Sequence, residues 1–185
     1  MIKMLIGLAF IGLELTLASE TITINLLPDF VGYILLLLGQ RELSHENDHF
    51  FKNIKFCLWP GAVSLMVFVM DLFSGSLSMS IQSLLLQMLL LVLEPICLFR
   101  IVKGVRQVGT DYGIDVKGKL MFVLWLLMTV INIAIFFIGT PTLANTLGLV
   151  LSVCTFAFIA LFFNFKVLYE EVRPEPEEEA EEETY

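Results

Sequence analysis

Six apolar runs, separated alternately by segments with and without basic residues, constrain this chain more than anything else in it. The runs cover residues 4–18, 22–40, 56–73, 81–102, 120–139 and 143–165. A bilayer's hydrocarbon core, about 30 Å thick, takes roughly 20 helical residues, and about 17 can suffice. A soluble domain would set its apolar residues in periodic stripes, not blocks. The sequence therefore predicts an all-α fold: a polytopic integral membrane helical bundle of about six transmembrane helices.

The eleven Lys and Arg residues orient that bundle. Lys3 precedes the first run. Arg41, Lys52 and Lys55 follow the second. Arg100, Lys103, Arg106, Lys117 and Lys119 cluster around and beyond the end of the fourth, and Lys166 and Arg173 follow the sixth. The segments after the first, third and fifth runs hold none. Basic residues near helix ends stay cytoplasmic. The expected location is thus the cell membrane, crossed six times, with both termini cytoplasmic. Lys3, the run to Leu13 and Ala18 also fit a cleaved signal peptide. Glu14 and Thr16, close before that site, argue for retention.

The net charge of −8 comes from the end of the chain. Residues 169–185 carry nine Glu and one Arg and are expected to form a disordered acidic cytoplasmic tail. No basic surface is large enough for nucleic acid. Cys57, Cys97 and Cys154 lie inside runs without paired spacing and read as small buried apolar groups rather than a disulfide or zinc site. The lipid bilayer is the expected partner, with a protein partner or a homo-oligomer left open. No cofactor is expected.

The outer connections, 19–21, 74–79 and 140–142, are short. Gly139-Thr-Pro141 is a turn signal. The fourth helix should run past the membrane, because Ile101, Val105 and Val108 recur on one face while Lys103 and Arg106 point elsewhere. Those two cations read as snorkelling side chains or as an anionic-lipid contact. Trp59, Trp125 and Tyr169 near inner ends suit an aromatic belt. Gly32 with Gly39, and Gly148 with Ser152, would allow close helix contact.

Carboxylates in apolar runs are expensive and mark candidate sites. Glu14, Asp29 and Asp71 come from three different helices yet fall at one outer level, with Asn25 nearby. Pro28 suits a first helical turn, and Asp29 then sits where the helix dipole favours an anion. A helix starting there has only about 16 residues before Leu43, roughly 24 Å. Residues 22–27 must then enter the outer leaflet without regular helix, which is tolerated only against protein or a water-filled cavity. Two readings follow. Either Glu14, Asn25, Asp29 and Asp71 line a polar pocket that binds a cation or shares protons, or Asp29 caps its helix while Glu14 and Asp71 reach interfacial water. Glu94-Pro95 predicts a kink in the fourth helix, with Glu94 neutral or paired with Lys55 or Arg100. Asn132 should hydrogen-bond a neighbouring helix.

His45-Glu46-Asn47-Asp48-His49 spells H-E-x-x-H, in which His45 and His49 would bind zinc and Glu46 would act as base. Asp48 is out of place in such a motif, no downstream third ligand is evident, and the polar loop 41–55 could hardly form a dry site. A solvated loop is the plainer reading.

The stretch Asn25-Leu-Leu-Pro-Asp-Phe-Val-Gly-Tyr-Ile-Leu35, after an apolar helix carrying Glu14 and before Gly39 and Leu43, resembles a group of uncharacterised small polytopic membrane proteins of Firmicutes-type bacteria. The resemblance spans about a quarter of the chain. It implies a bacterial cytoplasmic membrane location and nothing catalytic. The sequence thus points first to a non-enzymatic membrane protein acting as a partner or accessory subunit. A small transporter or ion-coupled permease using the outer carboxylates comes second, and an H-E-x-x-H membrane metalloprotease is a remote third.

Overall fold

The computed structural model describes residues 1–12, 16–18, 23–25, 28–44, 48–74, 81–138 and 140–172. Six helices appear in chain order: α1 (Ile2–Gly12), α2 (Asp29–Leu43), α3 (Asp48–Ser74), α4 (Ile81–Asp111), α5 (Gly118–Phe137) and α6 (Pro141–Val172). The all-α bundle stands. Four of the helices are long and apolar enough to cross a membrane, namely α3, α4, α5 and α6. α5 shows why lipid is the expected surroundings. Only 11% of its apolar length is buried inside the protein, so Val123, Leu126, Val130 and Phe137 face outward. An apolar surface this extensive is not stable against water.

The first two runs depart from simple helices. α1 ends at Gly12, and Thr16–Ala18 (β1) pairs antiparallel with Thr23–Asn25 (β2), Thr16 opposite Asn25 and Ala18 opposite Thr23. Thr and Ile favour this extended backbone because branching at Cβ restricts the helical rotamers. α2 begins at Asp29 with Pro28 as N-cap, as the sequence suggests. Residues 23–25 are therefore strand, in keeping with the expectation that residues 22–27 enter without regular helix.

Other boundaries also move. α3 starts at Asp48, so helix replaces much of the expected polar loop 41–55. α6 continues to Val172. Its last turns carry Phe158, Phe162, Phe165 and Tyr169, all buried on one helical face, and Tyr169 meets Tyr112 edge to face at 5.4 Å. Residues 169–172 are thus helix, not tail; the remainder of the tail lies outside the described residues.

Helices adjacent in sequence pack against one another from α1 to α6, and α6 returns to α1. The tightest contact is α1 on α2. A Cβ on Gly7 would lie 2.6 Å from the Gly32 carbonyl oxygen, and one on Gly39 would lie 2.6 Å from the Met4 backbone nitrogen. The α2 glycine pair therefore works as expected. Cys57 of α3 and Cys97 of α4 form a disulfide, with Cα atoms 6.0 Å apart. This corrects the reading of both as plain buried apolar groups. Forty residues separate them, so no local spacing betrays the pair. Cys154 is a buried free thiol.

The core is concentrated at the end of the bundle that carries the basic residues. Met4, Leu36, Phe50, Ile101, Val105, Val108, Met121, Phe162 and Phe165 are fully buried there. At that end Glu42 accepts from the Met1 amino group at 2.7 Å and from Lys3.

Candidate functional site

Above this core the helices part around a cavity of about 790 Å³. Each wall is a stripe of one helix. α5 contributes Trp125, Met128, Thr129, Asn132 and Ile135, spaced 3, 1, 3 and 3. α6 contributes Asn145, Gly148, Ser152 and Thr155, spaced 3, 4 and 3. α4 supplies Glu94, Pro95 and Leu98, α1 ends on the cavity at Ile11 and Gly12, and α2 begins on it at Asp29. These are the periods by which an α-helix turns one face to a common space.

Two carboxylates from different helices thus share one space. Asp29 opens α2, where the aligned peptide dipoles favour negative charge. Glu94 lies well inside α4. Both are half-buried. Tyr33, one turn after Asp29 and 2% exposed, lies within electrostatic range of both. No Lys, Arg or His is among the described lining residues.

The remaining polar groups differ in what they can offer. Thr129 donates to the Trp125 carbonyl at 2.8 Å, Ser152 to Gly148 at 3.0 Å and Thr155 to Leu151 at 3.0 Å. Their hydrogens are therefore committed within their own helices, and they present oxygen lone pairs. Asn132 was expected to bond a neighbouring helix. It instead lines the cavity, and its amide makes no hydrogen bond among the described residues. Asn145, near the mouth, is in the same condition.

Pro95 interrupts the hydrogen-bond ladder of α4. Proline cannot donate, and its ring prevents the usual bond to the carbonyl four residues back. Trp125 bonds this same residue from α5: its indole Nε1 donates to the Pro95 carbonyl at 2.8 Å. Phe99 stacks on the Trp125 ring at 4.9 Å, and Phe122 does so at 5.4 Å. The indole is locked as part of the wall and does not join an aromatic belt. Tyr169, buried, also leaves the belt; Trp59 faces outward. The two cations suggested as partners of Glu94 sit over aromatic rings. The Arg100 guanidinium lies 4.6 Å from the Phe56 ring centroid, and the Lys55 amine lies 5.9 Å from that of Phe51.

The cavity is one-sided. Its shallow end is formed by Gly12, Ile135 and Asn145, at helix ends remote from the basic residues. Below Leu98 and Trp125 the bundle is filled by Ile101, Phe158 and Phe162. Gly148 has no atom within 4 Å of its Cβ position, so it widens the cavity where close packing against another helix was expected.

Of the four residues proposed from sequence for a polar pocket, Asp29 lines this cavity. Glu14 lies outside the described residues, as do the side chains of Asn25 and Asp71. His45 and Glu46 lie outside them too, and His49 is placed only by its backbone, in the first turn of α3. Among the described residues no group of three His, Cys, Asp or Glu could hold a metal ion. Sequence reasoning missed Asn145 and Thr129 as members of the site. The α6 stripe was visible as a 3-4-3 spacing of polar and small residues.

No protein-family model matches the chain, and comparison with curated proteins and with solved structures gives no match.

Proposed function

We propose that this chain is a non-enzymatic, multi-pass protein of a bacterial cytoplasmic membrane that binds a small organic cation in the cavity between α1, α2, α4, α5 and α6. In this reading the chain crosses six times, both termini are cytoplasmic, and the cavity opens outward. The alternating placement of Lys and Arg supports the orientation. The resemblance of residues 25–35 to membrane proteins of Firmicutes-type bacteria supports the location.

One observation carries the binding reading. Asp29 and Glu94 share a cavity with Asn132, Asn145 and the locked Trp125 ring inside an otherwise apolar bundle. Ionisable groups at membrane depth are costly and favour a functional explanation. The volume falls in the range of about 300–1,000 Å³ typical of small-molecule sites. Carboxylates attract a cation, an indole face adds a cation–π contact, and Met128, Leu98 and Leu151 would take an apolar body. This favours a solute-binding role, on its own or as the outward-open state of a small permease, over a bare accessory role. A permease cycle would also require Phe158 and Phe162 to move aside.

The test is a titration of the purified protein in detergent micelles with a series of primary amines and quaternary ammonium ions, followed by thermal stability. Ligand that binds only the folded state raises Tm by mass action. A saturable rise is expected, lost in Asp29→Asn and in Gly148→Leu, which fills open space. Both variants should keep wild-type abundance. A flat response across the series, or a rise that both variants retain, sinks the proposal.

A further inference from the structure

A second, smaller cavity of about 350 Å³ lies at the other end of the molecule, between α4 and α5. It is lined by Phe99, Val102, Lys103, Arg106, Gln107, Thr110 and, across the groove, Phe122. The α4 residues form one stripe, with Phe99, Lys103, Arg106 and Thr110 spaced 4, 3 and 4, over about 16 Å of helix. The stripe is chemically graded. Phe99, with Phe122 opposite it, lies within the apolar run that ends at residue 102. Lys103 and Arg106 lie one and two turns beyond Phe99.

We infer that this groove is the headgroup site of an anionic phospholipid, with the phosphate held between Lys103 and Arg106 and an acyl chain lying along Val102, Phe99 and Phe122. Four observations support it. First, neither Lys103 nor Arg106 makes an ion pair among the described residues, although charged groups are common at this end. Asp111, farther along the same helix, is held by the Gln107 amide at 2.9 Å. Second, Arg106 is positioned. A Cβ on Gly118 would lie 2.5 Å from the Arg106 Cγ, so the guanidinium stem rests on the first residue of α5. Third, the Arg106 guanidinium makes no hydrogen bond among the described residues, so its donors are left for a ligand, while the Thr110 hydroxyl is committed to the Arg106 backbone carbonyl at 3.0 Å. Fourth, the order of cations and then aromatic wall, running toward the membrane interior, is that of a lipid's headgroup and tail; a water-soluble phosphate would have no use for Phe99 and Phe122. Behind the groove, Phe99 and Phe122 both stack on Trp125, a residue that lines the larger cavity.

Each basic residue at a membrane surface attracts anionic lipid by a factor of about 5. Native mass spectrometry of the full chain, released from micelles containing equal phosphatidylglycerol and phosphatidylcholine, reads this directly. Phosphatidylglycerol should be retained preferentially. The preference should fall about 5-fold in Lys103→Gln and about 25-fold in the double variant with Arg106→Gln. Lys119→Gln, outside the groove, should leave it unchanged. Phe122→Ala should weaken retention of both lipids with the headgroup preference kept. Equal retention of the two lipids by the wild type overturns the inference. So does a preference that survives the double variant, or displacement of the lipid by millimolar glycerol phosphate, which would make the groove an anion site only. Monodisperse elution of each variant shows that it is folded, and none of these readouts depends on cation binding in the larger cavity.

Discussion

Glu42 shows how a single residue can hold two elements. Its carboxylate receives a hydrogen bond from Lys3 and another from the Met1 amino group, and these, in that order, hold its pKa below the usual carboxylate range despite a small opposing effect of burial. Because the folded value is depressed, the stabilisation is complete above the ordinary carboxylate range and is lost as pH falls through the folded value. The group is partly exposed, with 39% of its side-chain surface accessible. Solvent therefore screens the contact, and its contribution should not exceed about 1 kcal/mol. Glu42→Gln is expected to lower Tm modestly at pH 7. The gap to wild type should close as the pH is taken toward 3, read by thermal unfolding in micelles. A gap that is constant with pH would show that the variant acts by something other than charge.

At the scale of elements, the glycines divide into two kinds with opposite consequences. Gly7, Gly32 and Gly39 are places where two backbones touch, and side-chain atoms cannot be fitted between α1 and α2 without separating them. Membrane helices gain little from the hydrophobic effect when they associate, so close backbone approach supplies much of their contact energy. Gly148 is the reverse, a residue facing open space. Gly39→Ala should cost about 1–3 kcal/mol through forced displacement. Gly148→Ala should be neutral or slightly stabilising, since alanine is favoured over glycine in a helix by roughly 1 kcal/mol. Thermal unfolding of the two variants side by side measures the contrast. Equal effects would contradict the close packing of α1 on α2. The α3–α4 contact is secured differently, by the Cys57–Cys97 bond, with the Gln40 amide 3.2 Å from the Cys57 sulfur.

For the whole molecule, threading turns on the first hairpin. α1 and α2 are about 16 and 22 Å long by their residue counts, short of a core of about 30 Å. Under the six-crossing reading, the ribbon β1–β2 would have to add the missing length. An open strand edge is not tolerated in lipid, so a crossing of this kind requires the ribbon to lie against protein or water. Under the six-crossing reading, a cysteine at Lys117 should be silent to a membrane-impermeant thiol reagent in intact cells, and one at Thr140 should react. The opposite pattern would invert the bundle and turn the mouth of the large cavity toward the cytoplasm.

The membrane-type bundle, the start of α2 at Pro28-Asp29 and the absence of regular helix over residues 23–25 were all legible in the sequence, because length, apolar blocks and proline act locally. The candidate site was legible only in part. Asp29 could be singled out as an ionisable residue in an apolar run, and so could Glu94. That these two share one cavity could not be read, since it depends on how six helices close into a ring. The same holds for the disulfide, for the seat of Trp125 on Pro95 and for the role of Gly148. Each joins residues distant in the chain, and packing between helices, which no local spacing encodes, decided them.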